Sequence, residues 1–113
     1  MQVEVMQAKI RHAVVTASNI EYRGSLTVDE DILDDMGVLP YQSCDVNSEG
    51  GVRTRTYLLP GPRGTGCVEA NGNLSLHILK GDLIHVVVFC TKPYDTAKTH
   101  IPIVIESNES YIK

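Results

Sequence analysis

Asp82-Leu83-Ile84-His85-Val86-Val87-Val88-Phe89-Cys90-Thr91 is the stretch whose reading decides the fold. Its middle, Ile84 to Phe89, is a short β-branched run with a single polar residue, the pattern of a central strand covered on both faces. Working outward, Val3 to Val5 and Lys9 to Thr16 are apolar-rich and β-branched, Ser43 to Val46 is short, and Val52 to Leu59 alternates. Further strands are expected at Gly66 to Ala70, Leu74 to Ile78 and Ile101 to Ile105. Turns are marked at Glu49-Gly50-Gly51, Pro60-Gly61-Pro62-Arg63-Gly64 and Asn71-Gly72. One helix interrupts the pattern: Asp29 suits an N-cap, acids crowd the first turn, Ile32, Leu33 and Met36 share a face, and Gly37 is placed to end it. A second, shorter helix is expected around Asp95, after Pro93. Many short strands with little helix make the chain mainly β, a small closed β-barrel with one or two short helices.

With 113 residues the chain is a single domain, 1–113, with a small core, so oligomerisation is expected. Lys+Arg number 10 against Asp+Glu 14, and the basic residues are scattered, which makes nucleic acid an unsuitable partner. No apolar run approaches the ~20 residues that span a bilayer, and Met1-Gln2-Val3-Glu4-Val5 lacks the blocks of a signal peptide, so no membrane association and a cytoplasmic location are expected. Cys44, Cys67 and Cys90 are odd in number and widely spaced, fitting reduced, largely buried thiols better than a disulfide framework. His12, His77, His85 and His100 show no HxxxH or HxH spacing, and no metal is expected.

Chemistry enters at Gly24-Ser25, in Tyr22-Arg23-Gly24-Ser25-Leu26-Thr27-Val28-Asp29-Glu30-Asp31. Alone, Gly-Ser is a common bend before a helix. The ordered set of Lys9, Tyr22-x-Gly24-Ser25 with Thr27 to Asp31, Gly51-x-Arg53-x-x-Thr56-Tyr57, Pro60-Gly61-Pro62-Arg63-Gly64, Asn71-Gly72 and Gly81-Asp82 resembles bacterial aspartate 1-decarboxylase, over almost the whole chain up to about Phe89. The resemblance implies a double-psi β-barrel, a homotetramer with active sites between subunits, and a pyruvoyl enzyme that converts L-aspartate to β-alanine and CO2 for pantothenate and coenzyme A. It also implies that the Lys9 equivalent adds positive charge at the site, that the Thr56 equivalent stabilises the oxyanion during self-cleavage, and that the Asn71 and Gly72 equivalents hold the loop beside the pyruvoyl.

The residues support that chemistry independently. Decarboxylation of an amino acid leaves two electrons on Cα, and an imine conjugated to a carbonyl is a sink that no ordinary side chain provides. Attack of the Ser25 hydroxyl on the Gly24 carbonyl turns the amide into an ester. Elimination then frees the Gly24 carboxylate and leaves dehydroalanine, whose hydrolysis gives a pyruvoyl group derived from Ser25 and two chains, 1–24 and 25–113. Glycine before the serine accepts unusual backbone geometry at lower cost. Arg53 and Tyr57 are four apart in an expected strand and so share a face. Arg53 offers a fork for a carboxylate, and the Tyr57 hydroxyl is a proton donor for the decarboxylated carbon. Alternation points Thr56 away from that pair, so either the strand twists or bulges there or Thr56 faces another subunit. Arg55, on the face of Arg53, is read as an ordinary surface charge.

Three features depart from the usual family pattern. The His-Arg order after the lysine is inverted as Arg11-His12, the loop that usually reads Asn-Gly-Ala-Ala-Ala is Asn71-Gly72-Asn73-Leu74-Ser75, and the tail after Phe89 matches poorly. The altered loop leaves two alternatives: the same chemistry on another small acidic amino acid, or an uncleaved barrel that binds an anion or a protein.

Overall fold

The computed structural model describes residues 1–22 and 24–113; Arg23, inside the Gly24-Ser25 motif, lies outside the described residues. The strands are β1 (Gln2–Val14), β2 (Ala17–Asn19), β3 (Ser25–Asp29), β4 (Ser43–Ser48), β5 (Arg53–Gly61), β6 (Val68–Asn71), β7 (Leu83–Pro93) and β8 (Ile103–Glu106), with helices α1 (Glu30–Met36) and α2 (Tyr94–Ala97). Their order in the sheet is β2-β6-β3-β5-β4-β7-β1-β8. Because β1 runs into β2 across only Val15 and Thr16, the sheet returns to its own starting strand and closes as a barrel. The two linking residues stay in the ladder: Val15 N–H donates to Asp82 O and Thr16 N–H to Val68 O. β8 adds to the outside edge of β1 in parallel. Two parallel pairings between strands distant in sequence, β2·β6 and β3·β5, cross the barrel as a double-psi topology requires.

β7 is the central strand expected from its sequence, paired antiparallel to β1 on one side and β4 on the other, with Val86, Val87 and Val88 buried. The two expected N-terminal strands are one long strand. β1 absorbs its polar interruptions with register shifts between Met6 and Ala8 and between Ile10 and Ala13, each an extra residue that bends the strand. Inside the barrel, Ile10, Leu26, Val28, Val46, Leu58, Val68, Ile84 and Val86 are fully buried, and α1 closes one end with Ile32, Leu33 and Met36.

α1 starts and stops as its sequence predicts. The Asp29 carboxylate accepts the Asp31 N–H at 2.8 Å, and Gly37 ends the helix with φ 69°. Asp29 is fully buried, and its second oxygen accepts the Gly66 N–H at 2.8 Å, tying the helix start to the loop leading into β6. Asp29→Ala removes a cap and orphans a buried donor, so it should cost about 3 kcal/mol in urea unfolding at fixed protein concentration. A loss under about 1 kcal/mol would show that Asp29 does not carry this junction. The Pro62-Arg63-Gly64 turn is pinned to α1 by Arg63, whose guanidinium reaches Asp31 at 2.8 Å and Asp34 at 2.6 Å. That hydrogen bond from Arg63 holds the Asp31 carboxyl below its ordinary range.

Two expectations fail locally, and one strand is not foreseen. Leu74 to Ile78 is not a strand: Gly72 to Leu76 form a 3₁₀ turn, which begins because Gly72 sits at φ 59°, outside the extended region. Ser75 Oγ donates to Gly72 O at 2.5 Å, and Ile78 N–H to Leu74 O at 3.0 Å, so local bonds replace a ladder. The expected turn at Pro60-Gly61 belongs to β5, where Pro60 and Gly61 pair with Val28 and Asp29. Ser25 to Asp29, for which the sequence suggests no strand, form β3. Cys44 and Cys67 are buried and Cys90 half-buried, all as free thiols; burial pushes the Cys44 thiol up to about 12, leaving it inert. No helix among the described residues is long and apolar enough to cross a membrane.

Candidate active site

β3 enters the barrel between β5 and β6, and its first residue is Ser25. Leu26 is in register with Leu58, so one step earlier Ser25 comes beside Tyr57 and Gly24 beside Thr56. Thr56 and Tyr57 therefore flank the Gly24-Ser25 bond from consecutive positions although their side chains leave the strand in opposite directions. β5 pairs with β3 and β4 without a register shift here, so no bulge turns Thr56. Tyr57 Oη donates to Gly24 O at 3.3 Å, so a proton donor already addresses the carbonyl on which the oxyanion would form. Thr56 joins Gly24, Ser25, Asn73 and Leu74 in lining a cavity of about 560 Å³.

Ser25 is fully buried and has φ 115°, a conformation rare for any residue with a side chain. The unusual geometry expected of the glycine is thus found at the serine itself. A Cβ at Gly24 would meet no described atom within 4 Å. Asn71, opposite Ser25 in β6, holds the strained residue: its Nδ2 donates to Ser25 Oγ at 3.2 Å and to Thr27 Oγ1 at 2.8 Å. Asn71 Oδ1 is buried with no hydrogen-bond partner among the described residues, an acceptor waiting for a donor. Gly72 is required by space as well as by φ. A Cβ there would stand 2.7 Å from Gly24 N and 2.8 Å from Tyr22 O, driving the cleavage loop off Asn71. Asn71-Gly72 is therefore a cradle at a strand end, not a hairpin turn.

The altered loop reaches the cavity at two positions: Asn73 and Leu74 line its wall, while Ser75 is buried.

Lys9 and Arg53 are not brought to Ser25 by their own chain. Arg53 pairs with Asn47 and lies four residues before Tyr57, roughly 13 Å away along an extended strand. Lys9 is on β1, separated from β5 by β7 and β4. Both sit on the outer face of that four-stranded wall, on the side opposite the buried Ala8, Ile10 and Val46. Among the described residues the arginine on the cavity wall is Arg55, which the sequence reads as an ordinary surface charge; its Nε donates to Asp45 Oδ1 at 3.0 Å across the β4·β5 ladder.

Two groups escaped the sequence. Tyr41 stacks on Tyr57, with ring centroids 6.1 Å apart and planes at 24°. His12, Glu49 and His85 converge on the outer wall from the β1 bulge, the β4–β5 turn and β7. His12 Nδ1 lies 2.9 Å from Glu49 Oε2, and His85 Nε2 lies 3.6 Å from the same oxygen. Only register brings these three together, so spacing along the chain carried no signal. His12 N–H donates to His85 Nδ1 at 3.3 Å, which leaves the proton of neutral His85 on Nε2, facing Glu49. A metal-ligating histidine needs the reverse, a free nitrogen toward the ion and a donating one behind it. Burial, reinforced by the nearby charges of His12 and Lys9, holds His85 below its usual value.

The sequence profile described as Aspartate decarboxylase matches residues 1–111. Among curated proteins, the aspartate 1-decarboxylase of Hyphomonas neptunium is 35% identical over 113 residues, covering 96% of each chain. That of Caulobacter vibrioides is 36% identical over 110 residues, covering 96% of this chain and 93% of its own. That of Bacillus licheniformis is 40% identical over 106 residues, covering 93% of this chain and 84% of its own. A profile match along nearly the full length, on a barrel that sets Ser25, Tyr57, Asn71 and Gly72 around one peptide bond, establishes that the chain belongs to the aspartate decarboxylase family.

Proposed function

We propose that this chain cleaves itself between Gly24 and Ser25 and then, as a cytoplasmic homotetramer, decarboxylates L-aspartate to β-alanine and CO2 for pantothenate and coenzyme A synthesis. The observation that carries the reading is the Tyr57 hydroxyl on the Gly24 carbonyl beside a buried, strained Ser25. The strain, of order 1–3 kcal/mol for such a backbone, is released when the peptide bond opens.

Self-cleavage balances on the chain's own atoms and one water. Ser25 Oγ attacks the Gly24 carbonyl carbon while Tyr57 and Thr56 stabilise the oxyanion, and the C–N bond gives way to an ester and a free Ser25 amine. Loss of the Ser25 Cα proton expels the Gly24 carboxylate, and water displaces ammonia from the resulting enamine to leave the pyruvoyl group. The cradle fits that small planar group. Gly72 leaves room at its edge, and Asn71 Oδ1 is a buried acceptor suited to the amino group of an incoming amino acid. Once formed, the group supplies the electron sink that decarboxylation needs.

The remaining work falls to side chains. Tyr57 holds a proton at the site where Cα must be reprotonated, and Arg53 and Lys9, brought from a neighbouring subunit, bind and orient the substrate carboxylates. The test is substrate preference. Aspartate should be turned over on the order of a hundredfold more efficiently than asparagine, because an amide leaves a desolvated guanidinium unpaired. Equal kcat/KM for the two would overturn Arg53 as the carboxylate clamp, and better turnover of another acidic amino acid would reassign the substrate.

A further inference from the structure

Leu39, Pro40, Tyr41 and Gln42 form a tight turn in which Gln42 N–H donates to Leu39 O at 3.2 Å. With Pro at the second position and φ 68° at the third, this is the arrangement in which the third residue is ordinarily Gly or Asn. Here it is Tyr41, which bears the steric cost of a left-handed backbone. The turn is locked to β5 on both sides: Tyr41 N–H donates to Leu58 O at 2.7 Å and Leu58 N–H to Gln42 O at 3.0 Å. These bonds fix the Tyr41 ring over the Tyr57 ring, at the stacking geometry given above. Tyr41 itself is 74% exposed, so burial of its own surface does not explain a bulky residue there. What the strained conformation secures is the orientation of its neighbour.

We propose that Tyr41 is a positioning residue that holds the Tyr57 ring with its hydroxyl directed at the Gly24-Ser25 junction. The inference rests on the reading of Tyr57 as proton donor. Tyr57 is itself 36% exposed, on the outer side of β5. An exposed tyrosine has several rotamers, and those that swing outward carry the hydroxyl away from the Gly24 carbonyl. An offset stack removes them at the cost of one strained residue.

The expectation is tested by Tyr41→Gly, which relieves the backbone while deleting the ring. Thermal stability should be unchanged or raised, whereas kcat for aspartate should fall about three- to tenfold, the range one aromatic pair supplies, with KM little altered. Tyr41→Phe keeps the ring and should keep the rate. In a Tyr57→Phe background, Tyr41→Gly should cause no further loss, since no hydroxyl remains to position. Wild-type kcat in Tyr41→Gly, a loss in Tyr41→Phe equal to that in Tyr41→Gly, or the same loss in both backgrounds would overturn the proposal while leaving Tyr57 in place. Full activity in Tyr57→Phe would remove the proton donor, and this inference with it.

Discussion

Ser25→Ala should remain a single 12.4 kDa chain and have no measurable decarboxylase activity. Intact-mass spectrometry of wild type should instead give fragments 1–24 and 25–113, with a carbonyl on the larger one that traps borohydride or a hydrazine. The expected loss of turnover is at least about 10⁴-fold, because the variant lacks both the nucleophile and the electron sink it becomes. Folding should not confuse the result. Alanine at φ 115° carries the same backbone strain as serine, and among the described residues the hydrogen bond lost is that from Asn71 Nδ2, which still has Thr27 Oγ1. An uncleaved wild-type chain after prolonged warming, or turnover in Ser25→Ala, would end the self-processing reading.

The elements legible in the sequence are those whose signal is local. α1 was fixed by Asp29 and Gly37 because capping is a matter of two residues and one backbone conformation. β7 was fixed by an apolar run that can be buried only one way. β3 was missed because its five residues owe their extended form to pairing with β5 and β6, and nothing in their own order demands it. The apolar content of Leu74 to Ile78 suggests a strand, but Gly72 at φ 59° redirects the chain before periodicity can act.

The site divides along the same line. Gly24, Ser25, Thr56, Tyr57, Asn71 and Gly72 were nameable through the family pattern, and the structure gathers them through the register of β3, β5 and β6. Alternation alone could not show that Thr56 and Tyr57 both lie beside the Gly24-Ser25 bond, since that depends on where the barrel ends. Tyr41 left no sequence signal of function, because a Pro-Tyr pair after a helix reads as a turn and its partner is known only once β4 and β5 are paired.

Subunit mixing carries the second large effect, because Lys9 and Arg53 stand on the outer wall of β1, β7, β4 and β5 while Ser25 lies at the mouth formed by β3, β5 and β6. A second copy docked wall to mouth would bring them together. A 113-residue barrel with Ile101, Ile103 and Val104 exposed along and before its edge strand also has reason to assemble. Ser25→Ala and Arg53→Ala should each be close to inactive as pure proteins. Refolded together in equal amounts, they should regain about one quarter of wild-type activity, since a random closed ring pairs a pyruvoyl-bearing Arg53→Ala subunit with an Arg53-bearing neighbour at that frequency. The recovered sites have both residues native, so their KM for aspartate should match wild type, which separates true complementation from traces of residual activity. A tetramer by light scattering with no recovered activity would place Arg53 in the same subunit as its own pyruvoyl. A monomer at micromolar concentration would overturn the shared site altogether.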